Sequence, residues 1–320
     1  MNASVQQPSG LGSDDGRPAV PPARQGSGLS GPELAPADFD RIAAIAYKAA
    51  GLAIGTGKAA MVRTRLARRL RALNMPGFTA YCDFLDSPEG AAEIGLLISA
   101  LTTNVSNFFR ESHHFKLLRE TVLPPLVARA RAGGRVRIWS AGCSNGQEPF
   151  SIAMTMIEAG MPFDRDVRVL ATDIDPNVIQ HARAGIYPQT MLSGLPDGYR
   201  NRFFDAVPGE GEPGWRARTE LRDAVQFRML NLLDVWPMRG QFDVIFCRNV
   251  VIYFDAPTQD RLWGRFCGQL APDGWLFIGH SERLSSRVQS RFNGRGTTAY
   301  QRADGAASPP PAAANSQERV

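Results

Sequence analysis

From Arg135 onward, short apolar runs alternate with amphipathic ones, and this alternation limits the fold more than any other feature of the chain. VRIWSAG (136–142), VRVLATD (167–173), VQFRMLN (225–231), FDVIFCRN (242–249) and WLFIGHS (275–281) read as strands, and 149–158, 176–184 and 258–269 as helices. Strands that are apolar almost throughout, joined through helices, pair in parallel and are covered on both faces. The expected fold class is therefore α/β, with a doubly wound, mostly parallel sheet. Residues 188–222 interrupt the order with Gly/Pro-rich, charged sequence and are expected to form an excursion outside the main sheet.

Ahead of this region, residues 37–120 read as a small all-helical domain. Val62, Leu66, Leu70 and Leu73 recur at helical spacing and predict a buried stripe. Arg68 and Arg71 fall on the opposite side, with Arg65 at the flank, and Pro76-Gly77 ends the helix before a further helical stretch at 78–85. Between Arg41 and Cys82 there is no acidic residue, while Arg41, Lys48, Lys58, Arg63, Arg65, Arg68, Arg69 and Arg71 all fall there. Such a stretch draws an anionic partner or is a solvated basic face. Residues 1–36 and 303–320, rich in Pro, Gly, Ser and Ala, are expected to be disordered tails, leaving the sheet domain at 121–302.

Composition removes several functional classes. No apolar run reaches the roughly 18 residues of a membrane span; the longest, 91–101, carries Glu93. The N-terminus lacks the basic and apolar regions of a secretory signal. Cysteines 82, 143, 247 and 267 form no CxxC pair, and the four histidines give no HExxH spacing. A cytoplasmic, metal-free protein is the expectation.

Doubly wound sheets bind ligands at the carboxyl ends of their strands. Four such ends are polar or glycine-bearing here. SAGCSNGQEP (140–149) lets backbone approach a ligand closely around Gly142, but it is not GxGxxG. Asp173 ends an apolar strand where an acid can accept from ribose hydroxyls, while Asp175, nearer Pro176, suits the helix cap. Asn231 and the pair Arg248-Asn249 end two more. With no GK[ST] loop and no basic residue in the glycine loop, the ligand reads as a nucleoside without phosphates, which points to S-adenosylmethionine.

The sequence resembles the chemotaxis receptor methyltransferases, the CheR family of protein-glutamate O-methyltransferases. The matching stretches are GKAAMVRTRLARRLR (57–71), LTTNVSNFFRESHHF (101–115), WSAGCSNGQEPFSIAM (139–154), ATDIDPNVIQHARAGIY (171–187), NLLD (231–234), FDVIFCRNVVIYFD (242–255) and GWLFIGHSE (274–282). The resemblance covers about residues 38–302. It implies a sheet of the S-adenosylmethionine-dependent methyltransferase type, S-adenosylhomocysteine as product, and methyl transfer to glutamate side chains of chemoreceptors, forming methyl esters for adaptation. By motif, Asn104, Ser106 and Arg110 would lie over the cofactor, Glu148 at its amino group and Asp173 at its ribose. Asn231, Leu232, Arg248 and Asn249 would complete the wall with Gly142, and Arg110 and Tyr253 would border the transferred methyl. Segment 188–222 would be the family's β-subdomain, which in some members docks a receptor's C-terminal tail. Gln147 stands where Glu is frequent and Phe150 where Tyr is, with Asn145 and Ser106 in place of Thr; Gln147 removes a charge expected beside the cofactor.

A glutamate is ionised at neutral pH, so the nucleophile needs no general base. An anionic carboxylate and a cationic sulfonium lose charge together, so rate should come from desolvation and alignment. Arg110 is then expected to orient one carboxylate oxygen, with the Tyr253 hydroxyl helping to place substrate. His113 and His114 are given no chemical role, and His280 a structural one. The acidic helical bundles of chemoreceptors offer a partner for Arg65, Arg68, Arg69 and Arg71, steered at long range. A monomer that neither binds nucleic acid nor inserts into membranes is expected. A methyltransferase acting on nucleic acid and a non-catalytic cofactor sensor stay open at this level; the basic stretch, whose rings are Tyr47, Phe78 and Tyr81, has little aromatic interleaving for nucleic acid.

Overall fold

The computed structural model describes residue 1 and residues 32–102, 106–208 and 213–303. Most of both expected tails therefore lies outside the described residues. Helices α1 (Pro36–Ala50), α2 (Ala59–Ala72), α3 (Phe78–Asp86) and α4 (Ala91–Leu101) surround a core of their own. Val62, Leu66 and Leu70 are fully buried there with Ile42, Ala46, Tyr81 and Leu97, and Leu73 is half-buried, as the stripe predicts.

Helix α5 (Ser112–Leu117), a π turn at Leu118–Val122 and helix α6 (Leu123–Arg131) belong elsewhere. Phe108, Phe115, Leu118, Val122, Leu123 and Val127 pack into the core of the sheet. Packing thus divides the chain near residue 102, whereas helical periodicity alone ran the helical domain to 120. Periodicity reports that a segment is helical and says nothing of which core takes its apolar face.

The sheet contains β1 (Val136–Ala141), β2 (Val167–Asp173), β6 (Val225–Met229), β7 (Phe242–Cys247), β8 (Leu270–Ile278), β9 (Phe292–Gly296) and β10 (Ala299–Arg302). Their order is β6-β2-β1-β7-β8-β10-β9. The first five pair in parallel; β10 runs antiparallel between β8 and β9. These last two strands carry Gly294, Gly296 and a Thr-Thr turn, which hide strand periodicity. Alternate residues feed opposite cores: Ile138, Val169, Val244 and Phe246 on one face, Trp139, Ala141, Ile245 and Cys247 on the other. Helices α7 (Gln147–Glu158), α8 (Pro176–Ala184) and α9 (Ala256–Gln269) provide crossovers. Asp175 caps α8, its side chain accepting from Asn177 N at 2.9 Å.

The excursion is a separate antiparallel sheet of β3 (Ile186–Pro188), β4 (Phe204–Val207) and β5 (Gly214–Ala217), in the order β3-β5-β4. Phe108 stacks edge-on against Tyr187 and Phe204, with centroids 5.1 and 5.6 Å away, anchoring it to the main core.

Candidate active site

The sheet order reverses at β1, with β2 on one side and β7 on the other. A crevice opens at that point outside the carboxyl ends of the strands. A cavity of about 520 Å³ lies there, within the range of small-molecule sites. Gly142, Glu148, Asp173, Asn231 and Asn249 form one wall, and Ala50, Leu52, Ile98 and Thr102 bring the helical domain over it. The two parts are tied at the rim. Ala53 N donates to Tyr253 O at 2.8 Å, Asn231 Nδ2 to Ala49 O at 3.0 Å and Ser99 Oγ to Asp175 Oδ2 at 2.5 Å. Gly51, at φ 68°, allows the close approach: a Cβ there would meet Leu233 Cδ1 at 2.4 Å.

The glycine loop is built for proximity. Gly142 has φ 87°, and a Cβ would fall 2.2 Å from Val250 Cγ2. Asp173 holds the loop, accepting from Ser144 N at 2.8 Å and Asp175 N at 3.1 Å. Burial raises the pKa of its carboxyl, against those same N–H groups. Glu148, in the first turn of α7, accepts from Ser140 Oγ at 2.7 Å and faces Arg248 Nη1 at 3.4 Å. Burial pushes its pKa up as well, opposed by the Arg248 charge and the Ser140 hydroxyl.

Arg248 is the buried cation of the site. Its Nη2 donates to the Arg110 carbonyl and lies 3.7 Å from Glu111 Oε2, while Nε and Nη1 have no hydrogen-bond partner among the described residues. Its neighbours Phe109, Glu111, Ser144 and Asn249 all have positive φ without being glycine. Such strain persists only where the surroundings over-determine it, and it gathers at functional sites. Glu282 supplies part of that constraint: Oε1 accepts from Val250 N and Val251 N at 2.9 and 3.0 Å, and Oε2 from Gly279 N at 2.6 Å. Its carboxyl, 3% exposed, pins the exit of β7 to the exit of β8.

Two mostly buried carboxylates, an incompletely satisfied guanidinium and close backbone at Gly142 fit a ligand carrying an amino acid and a ribose. The sequence comparisons agree. Residues 104–301 match the family model "CheR methyltransferase, SAM binding domain", and residues 37–102 match "CheR methyltransferase, all-alpha domain". This chain belongs to the CheR methyltransferase family. A probable chemotaxis protein methyltransferase of Rhizobium etli is 47% identical over 256 residues, 79% of this chain and 95% of that relative. Chemotaxis protein methyltransferases of Salmonella typhimurium and Escherichia coli are 44% and 43% identical, each covering 83% of this chain and 90% and 91% of their own lengths. The chain is a methyltransferase that uses S-adenosylmethionine to methylate chemoreceptors. No helix among the described residues is long and apolar enough to cross a membrane.

Ser106, Arg110, Gly142, Glu148, Asp173, Asn231, Leu232, Arg248, Asn249 and Tyr253 all line the one cavity. Asn104 lies outside the described residues. Gln147 turns away from the cavity instead of standing beside it: it is buried, and its amide meets Met191 Sδ at 3.9 Å. Strand-end reasoning did not find Glu111 or Glu282. The polar run after β8, GHSE, was a signal for the second; Glu111 was hidden in a segment with no strand.

The arginines of α2 separate. Arg69 closes on Glu93 with Nε and Nη2 at 2.7 and 2.6 Å, and Arg65 Nη1 donates to Leu101 O at 2.7 Å and Thr102 O at 3.1 Å. Arg68 and Arg71 are exposed. The acid-free stretch is also partly neutralised from later sequence, since Arg41 pairs with Asp83 and Asp86 at 2.9 and 2.7 Å.

His114 is fully buried and His113 exposed. His280 Nδ1 lies 3.0 Å from Glu111 Oε1. Burial and the Arg248 charge push the His114 pKa down to about 4. The Glu111 carboxyl is raised by burial, but Arg248 and His280 outweigh this and leave its pKa lowered.

Proposed function

We propose that the reaction is O-methylation of receptor glutamates and that the cavity residues divide the work as follows. Asp173 accepts from ribose hydroxyls and Glu148 from the amino group, while Asn104, Ser106, Gly142, Asn231, Leu232, Arg248 and Asn249 complete the cofactor wall. When bound, S-adenosylmethionine supplies a methyl group on a positively charged sulfur. The incoming glutamate arrives already ionised, so no residue need remove a proton. Arg110 orients one of its oxygens and the Tyr253 hydroxyl helps to place it. Leu52, Ile98, Phe115 and Leu232, apolar residues of the cavity lining, exclude water from the two opposed charges.

The observation that carries this reading is the convergence of every described cofactor residue, together with Arg110 and Tyr253, on one cavity. For the receptor, Arg68 and Arg71 provide exposed charge on α2, and Arg65 and Arg69 shape the face between them. The β3-β5-β4 sheet is the proposed dock for a receptor tail peptide, and the enzyme works as a cytoplasmic monomer.

The test is transfer of radiolabelled methyl from S-adenosylmethionine to receptor-containing membranes of the same cell, scored by base-labile release of methanol, with Arg110→Ala as control. Label that enters receptor and leaves as methanol establishes a carboxyl ester. Label that is stable to base, or absent despite cofactor binding, overturns the proposal.

A further inference from the structure

Glu111, the N-cap of α5, stands next to the cavity, and its side chain turns toward His113 and His114. One ligand atom from each of the three lies within 4.8 Å of the others. His114 Nε2 is 3.1 Å from the Thr297 carbonyl and 3.0 Å from Thr298 Oγ1. A carbonyl can only accept, so Nε2 carries the proton of the neutral ring and Nδ1 is left with a lone pair. That lone pair faces Glu111 Oε2 at 3.5 Å. Both atoms are buried and have no hydrogen-bond partner among the described residues. Two acceptors pointed at each other in a buried place repel unless a cation lies between them.

We propose that Glu111, His113 and His114 form a binding site for a divalent transition ion of the zinc type. The 3.5 Å separation of His114 Nδ1 and Glu111 Oε2 is close to the edge of a tetrahedron around an ion with bonds of about 2.0–2.1 Å, an edge of about 3.4 Å. The Nε2–H···O=C contact of His114 is the outer hydrogen bond that metal-ligating histidines make. His113, exposed, with its ring centroid 4.2 Å from that of His114, supplies the third ligand from the solvent side and leaves a path of entry. Neither a CxxC nor an HExxH spacing announces this site, because its ligands are three near-consecutive residues brought round by the left-handed backbone at Glu111, φ 58°.

The site is coupled to the cavity through Glu111, whose Oε2 is also 3.7 Å from Arg248 Nη2. An ion that takes this oxygen removes the carboxylate from Arg248, so the ion and S-adenosylmethionine weaken each other's binding by the same factor. This second part rests on the proposed role of Arg248 in the cofactor wall; binding of the ion does not.

The test titrates Zn²⁺ calorimetrically, and Co²⁺ by its visible absorption, into the full chain and into His113→Ala. One equivalent should bind, with the Co²⁺ spectrum of a tetrahedral nitrogen–oxygen site. His113→Ala should weaken binding by about tenfold or more and leave metal-free methyl transfer unchanged. Glu111→Gln should also lose the spectrum. Absence of stoichiometric binding, or binding that both variants retain in full, overturns the site. With binding established, an S-adenosylmethionine affinity that ignores saturating Zn²⁺ overturns the coupling alone.

Discussion

The cavity wall and helix α2 are both rows of polar residues on otherwise apolar elements, yet their polar side chains meet different ends. On the wall, Asp173, Asn231 and the pair Arg248-Asn249 stand at the ends of three separate strands, and a parallel sheet brings those carboxyl ends to one edge. On α2, four of the five arginines, Arg65, Arg68, Arg69 and Arg71, are close neighbours in sequence but not in role. Arg69 turns to the buried Glu93, Arg65 to two carbonyls, and Arg68 and Arg71 to solvent. Strand-end polarity is placed by topology, so it converges. Helix charge is sorted by whatever the neighbouring helices present, here a glutamate 24 residues away.

The largest effect that would test the contrast lies in the chemistry. Arg110→Ala is expected to slow single-turnover methyl transfer by about 100-fold, the scale of a misaligned reactant. A variant that altered only receptor affinity would remove Arg110 from the reacting centre.

On the helix, Arg69→Ala is expected to cost about 3 kcal/mol of stability in urea unfolding, because Glu93 is 5% exposed and would keep only the Tyr81 hydroxyl among its described side-chain partners. Little change in the urea midpoint would instead place Arg69 with the solvent-facing arginines.

Glu148→Gln is expected to weaken S-adenosylmethionine binding by about tenfold, the loss of one charge-assisted hydrogen bond. The pH dependence has a definite sign. Because burial raises its folded pKa, Glu148 takes up a proton at a higher pH than an exposed glutamate. Cofactor affinity of the wild type should therefore fall on acidification before the ordinary carboxylate range is reached, and Glu148→Gln should flatten that fall. For the folded protein without cofactor the sign is opposite: the cost of burying the charge is present at neutral pH and vanishes as pH drops through the raised value.

The smallest effect is expected at the solvent face. Arg68→Glu combined with Arg71→Glu should raise the apparent receptor KM about threefold at low salt and lose most of that difference at high salt, with cofactor affinity unchanged. An equal loss in cofactor binding would show that α2 acts through the cavity and not through the receptor.

Much of the wall was legible because β1, β2, β6 and β7 announce themselves as apolar runs and end at polar residues. Glu282 was harder to read: its importance lies in accepting the backbone N–H of nearby Gly279 and those of Val250 and Val251 in the distant loop after β7, and no periodicity encodes that. β9 and β10 were concealed by glycines and a turn, and α5 was readable as helical but not as part of the sheet's core. Gln147 shows the reverse error. Its place in the glycine-loop motif suggested the cofactor, whereas the start of α7 turns its side chain to Met191.

The sequence by itself determined the class of sheet, the buried stripe of α2, the cap at Asp175 and the strand ends that carry the site, since each depends on local periodicity or on a residue's own backbone preference. Only the tertiary structure decided which arginines stay exposed, that the C-terminal ends of α1 and α4 roof the cavity, and that Glu111, His113 and His114 face one another beside Arg248. Those outcomes depend on contacts between residues far apart in the chain, and on a buried charge finding its partner wherever the fold brings one.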